Sequence, residues 1–199
     1  MSLPKTLLQM AGADPTPPSL SQSVLVIIDA QNEYLDGKLP LSGIALALEA
    51  LSRLLGRARD AGAPVVHVAH RGRPGGLFDR TAHNGAIVAA VAPAQGERIV
   101  EKPLPNAFAQ TELQSILLEL GQRPLVLAGF MTHMCVSSTA RAALDLGFKT
   151  TVAGDACATR DLPDALGGGV IPADQLHRAA LTELADRFAI VARANEIPA

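Results

Sequence analysis

Short apolar runs alternate with stretches of helical periodicity along most of this chain. The apolar runs predict six strands, within residues 24–28, 65–69, 98–101, 124–128, 150–153 and 188–191. Between them, apolar residues recur every three or four positions. This spacing predicts four helices, within residues 48–58, 113–120, 135–146 and 176–185.

Strands that alternate with helices are typical of an α/β protein. We therefore expect a three-layer α/β/α architecture, Rossmann-like in outline, with a mainly parallel six-stranded sheet and right-handed crossovers. A chain of 199 residues that is 48% hydrophobic can bury one sizeable core. We predict one domain over residues 23–199, preceded by an extended Pro-rich arm over residues 1–22.

Two finer details of the local structure follow from the residue types. Thr111 and Gln114 flank the start of the second predicted helix with the spacing of a capping box. The segment from Leu162 through three consecutive glycines to Pro172 is a long connection for a compact domain. Both this segment and the N-terminal arm need a surface to lie against, which favours a homo-oligomer, a dimer or larger.

Composition argues against several classes of partner. The net charge is −2 and aromatic residues make up only 3% of the chain, so neither a nucleic acid nor an anionic membrane is expected as a partner. There are two cysteines without a Cys-x-x-Cys motif, and there is no basic-then-apolar leader. We therefore expect a reduced, cytoplasmic protein.

Cys135 is the most informative residue for the chemistry of this chain. It follows the apolar run 125–128, where Gly129 interrupts the strand and a helix begins. A thiol at a helix N-terminus is near unpaired backbone N–H groups, which favour a thiolate and can bind a developing oxyanion. On position alone, an ordinary buried core thiol is an equally good interpretation.

Two further polar residues end strands of the same predicted sheet. Asp29 ends the run 24–28, and Lys102 follows the run 98–101. The carboxyl ends of parallel strands meet at one edge of a sheet, where such proteins place their ligands. A carboxylate can accept a thiol proton and a cation can lower a thiol pKa, so the three residues together favour a nucleophilic cysteine.

These motifs resemble the isochorismatase-like cysteine hydrolase superfamily. The resemblance extends from about Val24 to Val191, with the motifs in the right order. It rests on Ile28-Asp29-Ala30-Gln31-Asn32, on Lys102 before Asn106-Ala107-Phe108, on Gly129 through Val136 with Thr139-Ala140, and on Asp155-Ala156.

The resemblance implies a covalent mechanism. Asp29 would take the proton of Cys135, whose thiolate would attack a carbonyl carbon to form a thioester, while Lys102 stabilises the charged pair. The superfamily places a cis peptide before the position of Met131. The backbone N–H groups of Met131 and Cys135 would then form the oxyanion hole.

Five further residues are candidates for the substrate pocket, and four of them have an alternative without a catalytic role. Gln31 could support Asp29 or serve only in a turn, and Asn106 and Phe108 could line the pocket or brace a Pro-rich loop. His133 could contact substrate or lie on the rim, and His70 could reach the pocket mouth. Cys157 lacks a strand-to-helix setting and is interpreted as structural, and Asp155 as a support for the site's edge or a turn cap.

No metal or other cofactor is expected. Nicotinamidases of the superfamily carry an Asp-x-His motif with a further His after the second strand, whereas this chain has His67 and His70 without the aspartate. Residues three apart on a strand point to different faces, so these two histidines make a poor chelating pair.

The resemblance favours a small-molecule substrate with an amide, imide or urea-type C–N bond. The alternatives are a vinyl ether hydrolase of the isochorismatase type and a non-catalytic binding or dimerisation module of the same fold. Arg71, Arg73 and Arg80 could bind a substrate carboxylate or be solvated loop residues. A dinucleotide-binding protein is disfavoured, because no Gly-x-Gly-x-x-Gly follows the first strand.

Overall fold

The structure is a computed structural model and describes residues 3–199. Within this range eight strands form, in chain order β1 (Val24–Ile28), β2 (Val65–His70), β3 (Arg98–Lys102), β4 (Leu125–Phe130), β5 (Thr150–Ala158), β6 (Leu162–Pro163), β7 (Val170–Ile171) and β8 (Ile190–Ala192). The α-helices of this range are α1 (Leu7–Met10), α2 (Ile44–Asp60), α3 (Leu113–Glu119), α4 (Ser137–Asp145) and α5 (Ala173–Arg187).

Six of the strands form one sheet in the order β3-β2-β1-β4-β5-β8, and every neighbouring pair is parallel. The predicted α/β class and six-stranded sheet are therefore confirmed. The two remaining strands, β6 and β7, form a short antiparallel hairpin in the connection between β5 and α5. This hairpin lies in the glycine-rich segment from Leu162 to Pro172, for which the sequence predicts only a long connection.

Both faces of the sheet are covered, as the three-layer prediction requires. Along β1, Leu25 and Ile27 point into a core shared with α2, whereas Val24, Val26 and Ile28 point into a core shared with α3, α4 and α5. Because both faces of the central strands are buried, their sequences are continuously apolar rather than alternating. The carboxyl edge of this rigid sheet is where the polar residues that end its strands lie.

The structure differs from the sequence prediction at β5 and at the start of α3. β5 continues to Ala158 instead of ending at 153, with a register irregularity where it pairs with β4 between Leu127 and Gly129. The predicted capping box at α3 is wrong. The Thr111 hydroxyl accepts a hydrogen bond from the Leu113 amide (3.2 Å) and donates one to the Ala107 carbonyl oxygen (2.5 Å), so it does not cap in that way.

The segment before β1 is extended only in part. Thr6 and Gln9 form a capping box around the short helix α1, and the Leu7 amide donates to the Asp186 carboxylate of α5 over 2.8 Å. The arm thus packs on its own chain over the described part, while residues 1 and 2 of the predicted arm lie outside the described residues. None of the helices within residues 3–199 combines the length and the apolar character that a membrane crossing demands.

Candidate active site

Three strand ends bring Asp29, Lys102 and Cys135 together at the carboxyl edge of the sheet. Asp29 directly follows β1 and adopts a left-handed conformation (φ 50°), with its amide donating to the Val68 carbonyl of β2 over 2.8 Å. Lys102 is the last residue of β3. Cys135 lies five residues beyond the end of β4.

Cys135 is positioned by a tight passage from strand to helix. At Gly129 the backbone has φ 119°, and a Cβ there would lie 2.0 Å from the carbonyl oxygen of Ile28, so only glycine fits against β1. The peptide bond between Phe130 and Met131 is cis. The chain then forms a π-helical turn, Thr132–Val136, that carries Cys135 and leads into α4. π-helical turns are frequent at functional sites.

The Lys102 ammonium is the centre of the cluster. Its Nζ lies 2.7 Å from Asp29 Oδ2 and donates to Cys135 Sγ over 3.2 Å. The side chains of Lys102 and Asp29 are completely buried, and Cys135 is only 5% exposed. Buried charges are retained where they are paired, so a fully buried ion pair in contact with a thiol points to a chemical role.

Burial sets the proton affinities of the acid and the thiol. It raises the pKa of the Asp29 carboxyl above its ordinary value, although Lys102 opposes the shift. Burial and the negative charge of Asp29 raise the pKa of the Cys135 thiol to about 12, again against the effect of Lys102. The resting thiol is therefore protonated at neutral pH and has a basic carboxylate beside it.

His70 supplies a third acceptor to the ammonium. Its Nδ1 lies 3.3 Å from Lys102 Nζ, and burial together with Lys102 lowers the pKa of His70 to about 4. The ring is therefore neutral at pH 7. Because an ammonium has only donors, Nδ1 accepts and the ring proton is on Nε2. Of the predicted pocket residues, His70 is the one that touches the cluster directly.

Gln31 is buried and fully occupied by backbone partners. Its amide group donates to the carbonyl oxygens of His70 (3.0 Å) and Gly85 (2.8 Å), and its Oε1 accepts from the His70 amide over 2.8 Å. Gln31 thus fixes the backbone of His70 at the exit of β2. Its side chain has no polar atom left for a substrate, which fits the supporting role considered for it.

The contacts of Asn106, Phe108 and His133 are with residues outside the cluster. The Asn106 carboxamide accepts from the Phe108 amide over 2.9 Å, and the Phe108 ring stacks on Phe148 with centroids 5.9 Å apart. Both contacts are structural. His133 is half-buried and its Nδ1 lies 2.6 Å from the Thr159 hydroxyl, which ties the π-helical turn to the end of β5.

The remaining predicted residues have separate roles. Asp155 accepts a hydrogen bond from the Ala194 amide over 2.7 Å, and Cys157 donates to the Ala153 carbonyl within β5 over 3.3 Å. Arg80 pairs with Glu101 at 3.0 Å, whereas Arg71 and Arg73 are exposed. His67 is buried against Glu97, with its Nε2 2.8 Å from the carboxylate.

Metal ligands do not converge in the described part of the chain. Across residues 3–199 there is no group of three or more His, Cys, Asp or Glu side chains arranged to hold a metal ion. His67 pairs with Glu97, whereas His70 contacts Lys102. The two histidines at the end of β2 therefore engage different partners.

Two residues close to this edge of the sheet were not identified from the sequence. Glu33 is buried and accepts from the amides of Lys38 (2.6 Å) and Phe78 (3.2 Å) and from the side chain of Asn84, so it anchors the loop beside His70. Arg160 follows β5 at the same edge as the cluster. Because the carboxyl ends of parallel strands share an edge, Arg160 can be placed there once β5 is known to continue to Ala158.

Comparisons with known proteins agree on one family. The isochorismatase domain matches residues 23–196. A crystal structure of an isochorismatase from Pseudomonas putida KT2440 superimposes with a TM-score of 0.93 at 44% identity, covering 98% of this chain and 100% of that one.

Two curated proteins extend the comparison to named activities. The secreted isochorismatase effector Isc1 of Verticillium dahliae is 41% identical over 94% of this chain and 96% of its own length. The maleamate amidohydrolase of Pseudomonas putida is 34% identical over 64% of this chain and 68% of its own length. The similar proteins thus include hydrolases with different named substrates.

Proposed function

This chain belongs to the isochorismatase family, and on that premise we propose that it is a cysteine-dependent hydrolase of a C–N bond in a small molecule. The observation that carries the proposal is the buried contact of Lys102 Nζ with both Asp29 Oδ2 (2.7 Å) and Cys135 Sγ (3.2 Å). These are a base, a cation and a nucleophile within reach of one another. That is the arrangement by which a buried thiol is activated.

In the first half of the reaction the proton of the Cys135 thiol moves to the Asp29 carboxylate. The thiolate sulfur then attacks the carbonyl carbon of the substrate, and the N–H groups of Met131 and Cys135 stabilise the oxyanion. As the C–N bond breaks, Asp29 returns the proton to the leaving nitrogen. The products of this half are a free amine or ammonia and a thioester on Cys135.

In the second half, water attacks the thioester carbonyl and gives a proton to Asp29. The C–S bond breaks, the acid leaves, and Asp29 protonates the sulfur to restore the resting thiol. The raised pKa of Asp29 suits this role, because a more basic carboxylate takes a proton from the thiol or from water more readily. The Lys102 ammonium contacts both side chains and compensates whichever of them is anionic.

A vinyl ether hydrolase of the isochorismatase type is the second candidate. It is favoured by the names of two similar proteins, the P. putida isochorismatase and the fungal effector. Against it, this chain has a nucleophile with its own base and cation, which hydrolysis of a vinyl ether does not require. The two candidates therefore differ in whether turnover depends on Cys135.

The test is a substrate screen with matched cysteine variants. Small amides, ureas, cyclic imides and isochorismate are incubated with the wild type, Cys135→Ala and Cys157→Ala, and ammonia, amine or pyruvate is measured. We expect the wild type and Cys157→Ala to release ammonia or amine from at least one C–N substrate, and Cys135→Ala to release none. Isochorismate turnover that survives in Cys135→Ala would favour the second candidate. No turnover of any compound would favour a non-catalytic module.

We further propose that the protein is a homo-oligomer. The β6–β7 hairpin displays Leu166, which is 98% exposed, and Val170, which is 61% exposed, beside the carboxyl edge of the sheet. Apolar side chains grouped on a surface favour contact with another chain. A cytoplasmic location stays a prediction, since a similar fungal protein is named as secreted.

A further inference from the structure

His70 and Lys102 are neighbours across two strands at the carboxyl edge of the sheet. His70 ends β2, Lys102 ends β3, and the two residues are register partners in that parallel pair. Side chains of register partners point to the same face of a sheet, so these two leave the edge together. In the structure His70 Nδ1 lies 3.3 Å from Lys102 Nζ.

This contact completes the donor set of the Lys102 ammonium. An ammonium has three N–H donors and no acceptor. Three side-chain acceptors lie around Nζ, namely Asp29 Oδ2 at 2.7 Å, Cys135 Sγ at 3.2 Å and His70 Nδ1 at 3.3 Å. Because Lys102 is completely buried, an N–H group left without an acceptor would cost free energy. His70 therefore supplies the third acceptor that the buried charge needs.

Two neighbours hold His70 in place. The Gln31 carboxamide accepts from the His70 amide over 2.8 Å and donates to the His70 carbonyl oxygen over 3.0 Å. The Phe78 ring meets the His70 ring edge to face, with centroids 5.2 Å apart. The imidazole is thus a fixed point against which the flexible stem of a lysine can be oriented.

The contact between Phe78 and His70 depends on an unusual backbone conformation. Phe78 has φ 57°, a left-handed conformation that a bulky residue rarely adopts. Its amide donates to Glu33 Oε2 over 3.2 Å, and its carbonyl oxygen accepts from the Gly72 amide over 3.0 Å. Strained residues are concentrated at functional sites, where the surrounding structure enforces them. Here the enforced conformation places an aromatic ring against His70.

The charge state of His70 suits an orienting role. Burial, together with the charge of Lys102, lowers the pKa of His70 to about 4, so the ring is neutral at pH 7. A neutral acceptor directs one N–H group of the ammonium without adding a negative charge. The positive charge of Lys102 then remains available to Asp29 and to a Cys135 thiolate.

We propose that His70 is a positioning residue for Lys102, whose ammonium it directs toward Asp29 and Cys135 by accepting a hydrogen bond at Nδ1. This inference deepens the proposed C–N hydrolase function and rests on it, because the orientation of Lys102 matters when Cys135 reacts as a thiolate. His70 acts through Lys102 and makes no contact with the reacting atoms. Its loss should therefore lower kcat and leave substrate binding nearly unchanged.

The first experiment tests the contact itself by NMR of the histidine rings. Protein labelled with ¹⁵N in its histidines is compared with His70→Asn to assign the ring signals of His70. At pH 7 we expect the proton on Nε2 and none on Nδ1. A proton on Nδ1 would overturn the proposal, because a protonated ring nitrogen cannot accept a hydrogen bond from Lys102.

The second experiment separates the two ring nitrogens by kinetics on a substrate from the screen. His70→Asn places an oxygen near the position of Nδ1, His70→Gln places its amide near that of Nε2, and His70→Leu offers neither. We expect His70→Leu to lower kcat by about 10- to 100-fold, the usual effect of losing a hydrogen bond to a charged group. His70→Asn should recover most of this loss, with KM nearly unchanged in both variants.

Two controls accompany these variants. Thermal unfolding shows whether each variant is folded, and His83→Leu, at an exposed histidine that pairs with Asp36, should keep wild-type kinetics. A normal kcat in folded His70→Leu, or an equal loss in His70→Leu and His70→Asn, would overturn the proposal. Recovery by His70→Gln alone, or a loss confined to KM, would indicate that Nε2 contacts the substrate and would also overturn it.

A measurement without substrate separates this proposal from the function on which it rests. Alkylation of Cys135 by iodoacetamide, with Cys157 as the internal reference, should be slowed in His70→Leu and restored in His70→Asn. If labelling depends on His70 in this way but no amide is hydrolysed, the positioning role stands and the C–N hydrolase function is wrong. If His70→Leu hydrolyses amides through Cys135 with normal kcat, the function stands and the positioning role is wrong.

Discussion

The two cysteines of this protein are both buried but contact different neighbours. Both thiols are buried and free, and burial raises the pKa of each to about 12. Cys157 lies within β5 and donates to a backbone carbonyl over 3.3 Å. Cys135 lies in a π-helical turn and accepts a hydrogen bond from a buried lysine that also pairs with a buried aspartate.

The comparison indicates that burial alone would not distinguish the proposed nucleophile from an inert thiol. Desolvation disfavours the thiolate at both positions, so neither side chain is ionised at rest. What differs is the path for the proton. Cys135 has an acceptor and a compensating cation, whereas the described surroundings of Cys157 offer a peptide carbonyl. The proposed reactivity of Cys135 is therefore attributed to the pair Asp29 and Lys102.

Removing either partner should make Cys135 behave like Cys157. Asp29→Asn takes away the proton acceptor and Lys102→Met takes away the cation, so each should lower kcat by about 10²- to 10⁴-fold, the usual contribution of a positioned general base. Cys157→Ala serves as the control and should stay near wild type. The measurement is steady-state kinetics on the substrate found in the screen. Retention of normal turnover by Asp29→Asn would show that the proton leaves by another route.

The alkaline dependence of stability tests whether the resting protonation states are equal. Each thiol has a pKa raised on folding, so its contribution to stability is complete below about pH 9. It is lost as pH rises toward about 12, because the unfolded thiol ionises first. Between these values one buried thiol accounts for about 1.4 kcal/mol of unfolding free energy per pH unit.

Denaturant unfolding of the wild type, Cys135→Ala and Cys157→Ala between pH 9 and pH 11 measures this slope. Both variants should show a pH slope shallower than the wild type by the same amount. If Cys135→Ala left the slope unchanged, the folded Cys135 would already be a thiolate, and Lys102 would outweigh burial at this site.

The cluster around Cys135 could be predicted from sequence, because the residue patterns of the predicted strands show where each strand ends. Asp29 and Cys135 follow the buried strands β1 and β4 and Lys102 ends β3, so their meeting at one edge follows from parallel pairing alone. Gly129 likewise marks the passage to the helix, since β1 leaves no room for a side chain.

The other contacts depend on tertiary structure that no local pattern encodes. The continuation of β5 to Ala158 was missed because it follows a register irregularity against β4, and with it the position of Arg160. The contact of His70 with Lys102 depends on how Gln31 holds the backbone of His70, across 39 residues of sequence.

A bound metal ion would be a source of activation other than Asp29 and Lys102, and the comparison of the two cysteines would then no longer explain activity. We expect treatment with a chelator, followed by desalting, to leave activity unchanged, because the carboxylate needed beside His67 and His70 is missing from the end of β2. Elemental analysis of the purified protein provides the control. Stoichiometric zinc or iron, with activity lost on its removal and recovered on its return, would contradict this expectation.

The last prediction concerns assembly through the β6–β7 hairpin, where we expect the smallest effect on the chemistry of Cys135. Light scattering should give a multiple of the 20.7 kDa chain mass, and Leu166→Lys should shift it toward the monomer because a charge at a buried contact is costly. Leu118→Lys, on the 50% exposed Leu118 of α3, is the matched control and should not change the mass. A fully active monomer at micromolar concentration would refute the proposed assembly.

The most direct test of the central claim is site-resolved alkylation by iodoacetamide. Activity and peptide mass spectra are followed together, so that the fraction of Cys135 and of Cys157 modified can be compared with the fraction of activity lost. We expect Cys135 to be labelled first, activity to fall in proportion to its modification, and Asp29→Asn to slow this labelling toward the rate of Cys157. Full activity with Cys135 completely alkylated, or inactivation that tracks Cys157, would contradict it.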